Sequence, residues 1–152
     1  MALRLQGLTK YYGSHRGIQD LTLDVNPGEV FGFLGPNGAG KTTTIRMVLG
    51  LLRPTRGAGQ VLGLDIVRES VTLRAQVGYL PGDLALYDRM HVEDLLGFVA
   101  RMRGGVDARR YRELAERLHL DLDRRIKDLS RGNRQKVGVV AAISAMISCG
   151  WR

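Results

Sequence analysis

The chain has 152 residues, 44% of them hydrophobic and 25% charged, and its 23 basic residues outnumber 15 acidic ones for a net charge of +8. This balance is that of a folded globular domain, and it excludes disordered and fibrous chains. A single cysteine, Cys149, excludes an internal disulfide and any cysteine cluster for zinc.

In chain order, the alternating apolar positions Leu3, Leu5 and Leu8, then Leu21, Leu23 and Val25, predict two half-buried antiparallel strands separated by residues 13–17. Pro27-Gly28 is a turn. Val30-Phe31-Gly32-Phe33-Leu34 is nearly continuous apolar sequence, the pattern of a short strand buried on both faces, and it runs straight into a glycine-rich loop. Beyond the loop, Thr44, Ile45, Met47, Val48 and Leu51 have helical spacing, and the helix is expected to end against Gly50 and Pro54. Residues 53–59 read as a polar turn, 60–64 as a strand and 67–75 as a short helix. Val77-Gly78-Tyr79-Leu80 reads as a second buried strand, broken by Pro81-Gly82.

Past Asp88 the pattern turns helical. Val92, Leu95, Leu96, Val99 and Met102 recur at helical spacing, as do Tyr111, Leu114, Ala115 and Leu118, with Gly104-Gly105 between the two helices and Asp107 as the expected N-cap of the second. Residues 101–136 hold 12 of the 23 basic residues against 6 acidic ones. Such an excess can serve nucleic acid or an anionic membrane surface. It comes without a helix-turn-helix, zinc-finger or aromatic single-strand-binding pattern, so it reads as solvated helix faces and no nucleic-acid partner is expected. The longest apolar run, residues 137–149, is shorter than the roughly 20 residues that span a bilayer. The first residues lack the basic, apolar, small-residue order of a secretory signal, so none is expected.

Gly35-Pro36-Asn37-Gly38-Ala39-Gly40-Lys41-Thr42 matches the pattern G-x-x-x-x-G-K-[ST] in full, between a predicted strand and a predicted helix. Glycines let backbone N–H groups close around an anion without a Cβ in the way, and the helix that follows points its positive end at the same place. Lys41 is expected to reach the β- and γ-phosphates of a nucleoside triphosphate. The Thr42 hydroxyl is expected to ligate magnesium, with Thr43 as a further donor.

Three further segments, with this loop, make residues 2–142 resemble the ATP-binding domain of an ABC transporter. Leu8-Thr9-Lys10-Tyr11-Tyr12-Gly13 is similar to the family's A-loop, whose aromatic ring stacks on adenine; the resemblance assigns that role to Tyr12, before the glycine. Leu129-Ser130-Arg131-Gly132-Asn133-Arg134-Gln135-Lys136 resembles the signature motif L-S-G-G-Q, with Arg131 and Asn133 as departures. Alone, Ser130 is a good helix N-cap. In the family this segment grips the γ-phosphate held by the opposite subunit, which gives Ser130, Arg131, Gly132 and Asn133 an in-trans role. Tyr79-Leu80-Pro81-Gly82-Asp83 stands where the family has its Q-loop, and Gly82 occupies the glutamine's position. Either Asp83 approaches the magnesium ion instead, or that sensing role is lost.

The resemblance then stops. The family's Walker B strand ends in Asp-Glu, and no Asp-Glu pair occurs in this sequence. Val61-Leu62-Gly63-Leu64-Asp65 is a decoy, lying before the signature. His15, His91 and His119 also precede the signature, whereas the family's switch histidine follows it. No catalytic residue is therefore assigned. The expectation is an α/β fold, a P-loop NTPase of ABC type with an antiparallel β subdomain and a helical subdomain, incomplete at its C-terminus. It is expected to be one domain over residues 1–152, with the β subdomain and phosphate-loop core in 1–90 and the signature helix in 91–148. A truncated subunit would leave the strands at 30–34 and 77–80 with a gap between them.

The resemblance implies an ATP-binding subunit that energises transport by binding and hydrolysing MgATP. It would lie on the inner face of the cell membrane, pair with a second ATP-binding domain and act on a membrane-spanning subunit, with residues 80–87 and the helical half facing that subunit. Two other readings stay open: a nucleotide-binding chain without turnover, and a fragment that folds poorly. A small-molecule kinase is disfavoured, because it would leave the signature and A-loop as coincidences and no acceptor-binding lid is found.

Overall fold

The computed structural model describes residues 1–102 and 107–147, so the expected break at Gly104-Gly105 and Cys149 lie outside the described residues. It divides into two compact units, Met1–Arg74 and Ala75–Arg152.

The first unit is built on an antiparallel sheet. Strand β1 (Leu3–Tyr12) pairs with β2 (His15–Val25) on one edge and with β3 (Arg56–Val61) on the other, and β3 pairs with the short β4 (Leu64–Asp65), giving the order β2-β1-β3-β4. The alternation read from the sequence sets this arrangement: Leu5, Leu8, Val25 and Val61 are buried, and Leu5 stands opposite Leu23 in β2 and Gly59 in β3. Gly59 has to be small, since a Cβ there would lie 2.8 Å from Ile66 and 2.9 Å from Leu5. The turn between β1 and β2 is tighter than expected, only Gly13-Ser14, and Gly17 belongs to β2.

The single strand expected over 60–64 is a hairpin instead. Leu62 and Gly63 both have positive φ, 53° and 82°, which turns β3 back into β4. Helix α1 (Lys41–Val48) buries Thr44 and Met47, and Gly50 at φ 63° lets the Leu51 N–H return to the Arg46 carbonyl at 2.8 Å. The ending at Gly50 is as expected. Helix α2 (Ser70–Gln76) buries Leu73 and begins three residues later than expected.

Residues 30–34 and 77–80 are not strands. Val30 is fully exposed and Leu34 is 92% exposed, the reverse of the doubly buried strand read from their apolar sequence. A buried parallel strand is held by neighbours on both edges, and among the described residues none pairs with 30–34.

The second unit is helical. It contains α3 (Val92–Met102), α4 (Ala108–Arg117), a 3-10 turn at Ile126–Asp128, and α5 (Arg131–Ile147). The predicted apolar faces meet: Val92, Leu95, Leu96, Tyr111, Ala115, Ile126, Val137 and Val140 form one buried cluster. Asp107 caps α4 as expected, accepting from the Arg109 N–H at 3.0 Å. The first N–H groups of α3 are satisfied from outside the helix, Val92 by the Arg124 carbonyl and Glu93 by the Leu122 carbonyl, both at 3.0 Å. No helix among the described residues is long and apolar enough to cross a membrane.

Candidate nucleotide-binding site

The loop 35–40 connects residues 30–34 to α1, and its backbone takes shapes that need glycine. Gly38 has φ 83° and Gly40, the N-cap of α1, has φ 87°. The Lys41, Thr42 and Thr43 N–H groups, in the first turn of α1, have no acceptor among the described residues. They and the helix's positive end form a site for an anion. Lys41 Nζ donates to the carbonyls of Gly35 and Pro36 at 2.5 and 2.6 Å, so the ammonium is held at the loop without a salt bridge among the described residues. Ala39 N–H closes the loop on the Pro36 carbonyl at 3.2 Å, and the Thr44 hydroxyl donates to the Gly40 carbonyl at 3.0 Å.

Tyr12 joins this loop. It is the last residue of β1, it is 49% exposed, and its hydroxyl lies 3.5 Å from the Thr43 hydroxyl. Lys10 Nζ stands 5.5 Å from the ring centroid. Tyr11 turns elsewhere, its hydroxyl donating to Gln19 at 3.3 Å. A cavity of about 320 Å³ is lined by Tyr12, Arg16, Gly17, Asn37, Gly38, Gly40, Lys41, Thr42 and Thr43. It brings an aromatic ring, a lysine and the start of a helix to one opening, the groups that a base and its phosphates require. Arg16 and Gly17 were not picked out from the sequence. Alternation from the buried Ile18 was no signal for Arg16, because the β1–β2 pairing slips by one residue between them.

The remaining candidates lie in the second unit. Ser130 immediately precedes α5, and its Oγ accepts the Asn133 N–H at 3.3 Å, so its capping role is realised. Arg131 and Gly132 are exposed, and Asn133 is half-buried. Arg134 ties the start of α5 to the preceding chain, donating to the Ile126 carbonyl at 3.2 Å and to Asp88 at 2.7 Å. Gly82 and Asp83 are exposed in an irregular segment. That segment continues into Leu84, which with Leu80 packs on Gly138 of α5 so closely that a Cβ there would lie 2.6 and 2.5 Å from them.

Asp65, in the decoy segment, accepts the N–H groups of Val67 and Arg68, both at 2.8 Å, and these bonds lower its pKa below the usual aspartate value. It caps a turn. Among the described residues, no group of three or more His, Cys, Asp or Glu side chains could hold a metal ion.

The sequence model of the ABC transporter family matches residues 18–146, most of the chain. This chain belongs to the ABC transporter family. An uncharacterized ABC transporter ATP-binding protein of Bacillus subtilis strain 168, YhaQ, is 36% identical to it over 146 residues, covering 93% of this chain and 48% of that protein. The lipopolysaccharide export system ATP-binding protein LptB of Escherichia coli K12 is 35% identical over 153 residues, covering 94% of this chain and 63% of LptB. Among solved structures, an ATP-binding subunit of an ABC transporter superposes with a TM-score of 0.84 at 33% identity, covering 95% of this chain and 62% of that one. The ABC cassette MJ0796, at 19% identity and a TM-score of 0.81, shares the fold. The expected ABC ATPase fold, with an antiparallel sheet and a helical part, is thus borne out, over a chain that spans about half to just under two thirds of these relatives.

Proposed function

We propose that this chain supplies the ATP-binding face of an ABC transporter's energising subunit. The observation that carries the reading is the single cavity shared by Tyr12, Lys41, Thr42 and Thr43 beside the glycine loop. The base would lie on Tyr12, and the phosphates would replace the loop carbonyls as partners of Lys41 while the free N–H groups of α1 receive their oxygens. A magnesium ion bound with the triphosphate would offset its negative charge. Thr42, exposed at the start of α1, would supply one oxygen, which suits an ion that keeps most of its waters.

Ser130 to Asn133 would complete the site of a second ATP-binding domain. In that assembly nucleotide binding closes the pair, hydrolysis reopens it, and a membrane-spanning subunit turns the motion into movement of a substrate at the inner face of the membrane. Leu80 and Tyr87, 36% and 64% exposed, are on the segment proposed to meet that subunit. Nucleotide binding without turnover by this chain alone is the second reading. It is favoured by the exposed Val30, Phe31 and Leu34, whose segment leads into the loop with no neighbouring strand among the described residues.

The deciding experiment is thermal unfolding with and without MgATP, because a ligand that binds only the native state raises the melting temperature. A rise of the transition that Lys41→Ala removes supports nucleotide binding. No rise in the unaltered chain refutes it. Steady-state phosphate release then separates the two readings.

A further inference from the structure

Arg16 is the one residue of the nucleotide cavity whose charge no motif explains. It lies near the start of β2. Ile18 of β2 is pressed against the phosphate loop, where a Cβ on Gly40 would strike it, and between Ile18 and Arg16 the pairing with β1 slips by one residue, from Lys10–Ile18 to Tyr11–Arg16. Arg16 lines the cavity beside the loop, nearer the hairpin tip where Tyr12 closes β1. Gly17, between them, lets Tyr12 lie close: a Cβ there would be 2.9 Å from the tyrosine ring. Arg16 is exposed, and among the described residues its guanidinium has no hydrogen bond or ion pair. It also borders the adjoining cavity of about 390 Å³ beside Gly38 and Ala39, so it stands at the rim that both openings share.

Resting on the nucleotide-site reading, we infer that Arg16 binds the α-phosphate of the nucleotide held between Tyr12 and Lys41. The geometry divides the ligand into three parts. Tyr12 takes the base, and Lys41 with the first turn of α1 takes the β- and γ-phosphates. Arg16, the other basic residue on the lining, is left for the segment between, where the anionic group is the α-phosphate. A guanidinium suits that group, offering a fork of donors to two phosphate oxygens. Without a carboxylate partner it gives up no ion pair when the nucleotide arrives.

The test is calorimetric titration of the full chain with MgATP and with magnesium dATP, comparing the unaltered protein, Arg16→Ala, Arg16→Lys and Lys41→Ala. Arg16→Ala is expected to raise Kd for both nucleotides by the same factor, about tenfold, as for a partly solvated charge-assisted contact. Arg16→Lys recovers part of the loss, and Arg16→Ala melts at the unaltered temperature in the absence of nucleotide. A loss under about twofold overturns the inference, as does a loss seen with ATP but not dATP, which would mark a ribose contact. A lower melting temperature without nucleotide also overturns it, by making the residue structural. If Lys41→Ala abolishes binding while Arg16→Ala does not weaken it, Arg16 alone loses its role; if the unaltered chain binds neither nucleotide, the site itself is wrong.

Discussion

Ile18 of β2 and Gly40 of the phosphate loop touch so closely that no side chain fits between them: a Cβ on Gly40 would collide with Ile18 and lie 2.8 Å from the Gly17 carbonyl oxygen. This contact seats the loop on the hairpin that ends in Tyr12. One glycine thus serves two ends, since its φ of 87° also starts α1 in the direction that aims the helix N-terminus at the cavity.

Gly40→Ala is therefore expected to fail on both counts. The backbone strain costs about 1–3 kcal/mol, and overpacking against Ile18 and a fixed carbonyl adds about 1–3 kcal/mol. Chemical denaturation should show the loss, and MgATP binding should weaken. In an Ile18→Ala background the added cost should shrink without vanishing, because the Gly17 carbonyl remains. An equal cost in both backgrounds would mean that Ile18 is not the obstacle.

The glycine loop before α1 was legible in the sequence because its pattern is local: eight consecutive residues carry both the turn chemistry and the lysine. The β1–β2 pairing and the helical cluster followed from periods of two and 3.6 residues, as at Leu3 and Leu5 or at Val92, Leu95 and Leu96. Residues 30–34 were misread because a strand buried on both faces depends on neighbours far away in sequence, which local composition cannot supply. The β3–β4 turn was missed for another reason. Leu62 adopts a φ of 53° that nothing in a leucine side chain advertises, so an apolar run concealed a hairpin. Arg16 escaped notice because the β1–β2 pairing slips by a residue between it and Ile18, which no local sequence pattern announces.

Lys41 and Tyr12 should separate by ligand. Lys41→Ala removes the ammonium that the Gly35 and Pro36 carbonyls hold at the loop, and binding of MgATP and of bare triphosphate should both be lost. Tyr12→Ala removes only the ring. It should weaken adenine nucleotides by about tenfold, consistent with roughly 1–3 kcal/mol for a stacked base, and leave triphosphate affinity unchanged. Equal losses for both ligands in Tyr12→Ala would show that the ring does not carry the base.

Ser130→Ala tests the second unit. The Ser130 Oγ accepts the Asn133 N–H at 3.3 Å, a long bond on an exposed residue, so the lost cap should cost no more than about 1 kcal/mol. The single chain should bind MgATP as before, while nucleotide-driven pairing of two ATP-binding domains should be impaired. Sedimentation with and without MgATP reads the pairing. If the substitution instead weakens nucleotide binding as much as Lys41→Ala does, the in-trans role is wrong.

The helical unit should lose stability in alkali through Tyr111. This residue is 3% exposed, and its hydroxyl donates to Glu93 Oε1 at 2.9 Å, while Arg112 Nη2 reaches the same oxygen at 2.6 Å. Burial raises the Tyr111 pKa above the ordinary tyrosine value, and the hydrogen bond to the Glu93 carboxylate, with that group's charge, raises it further. The neutral phenol is the form that the fold prefers. Its contribution is therefore complete below the unfolded value of about 10 and is lost as pH climbs through the higher folded value. Tyr111→Phe should cost about 1 kcal/mol at neutral pH, the net worth of the bond, and should flatten the alkaline decline. Urea denaturation followed by helical circular dichroism, at neutral pH and at pH values above about 10, measures both. An unaltered alkaline slope in Tyr111→Phe would assign the decline to some other group.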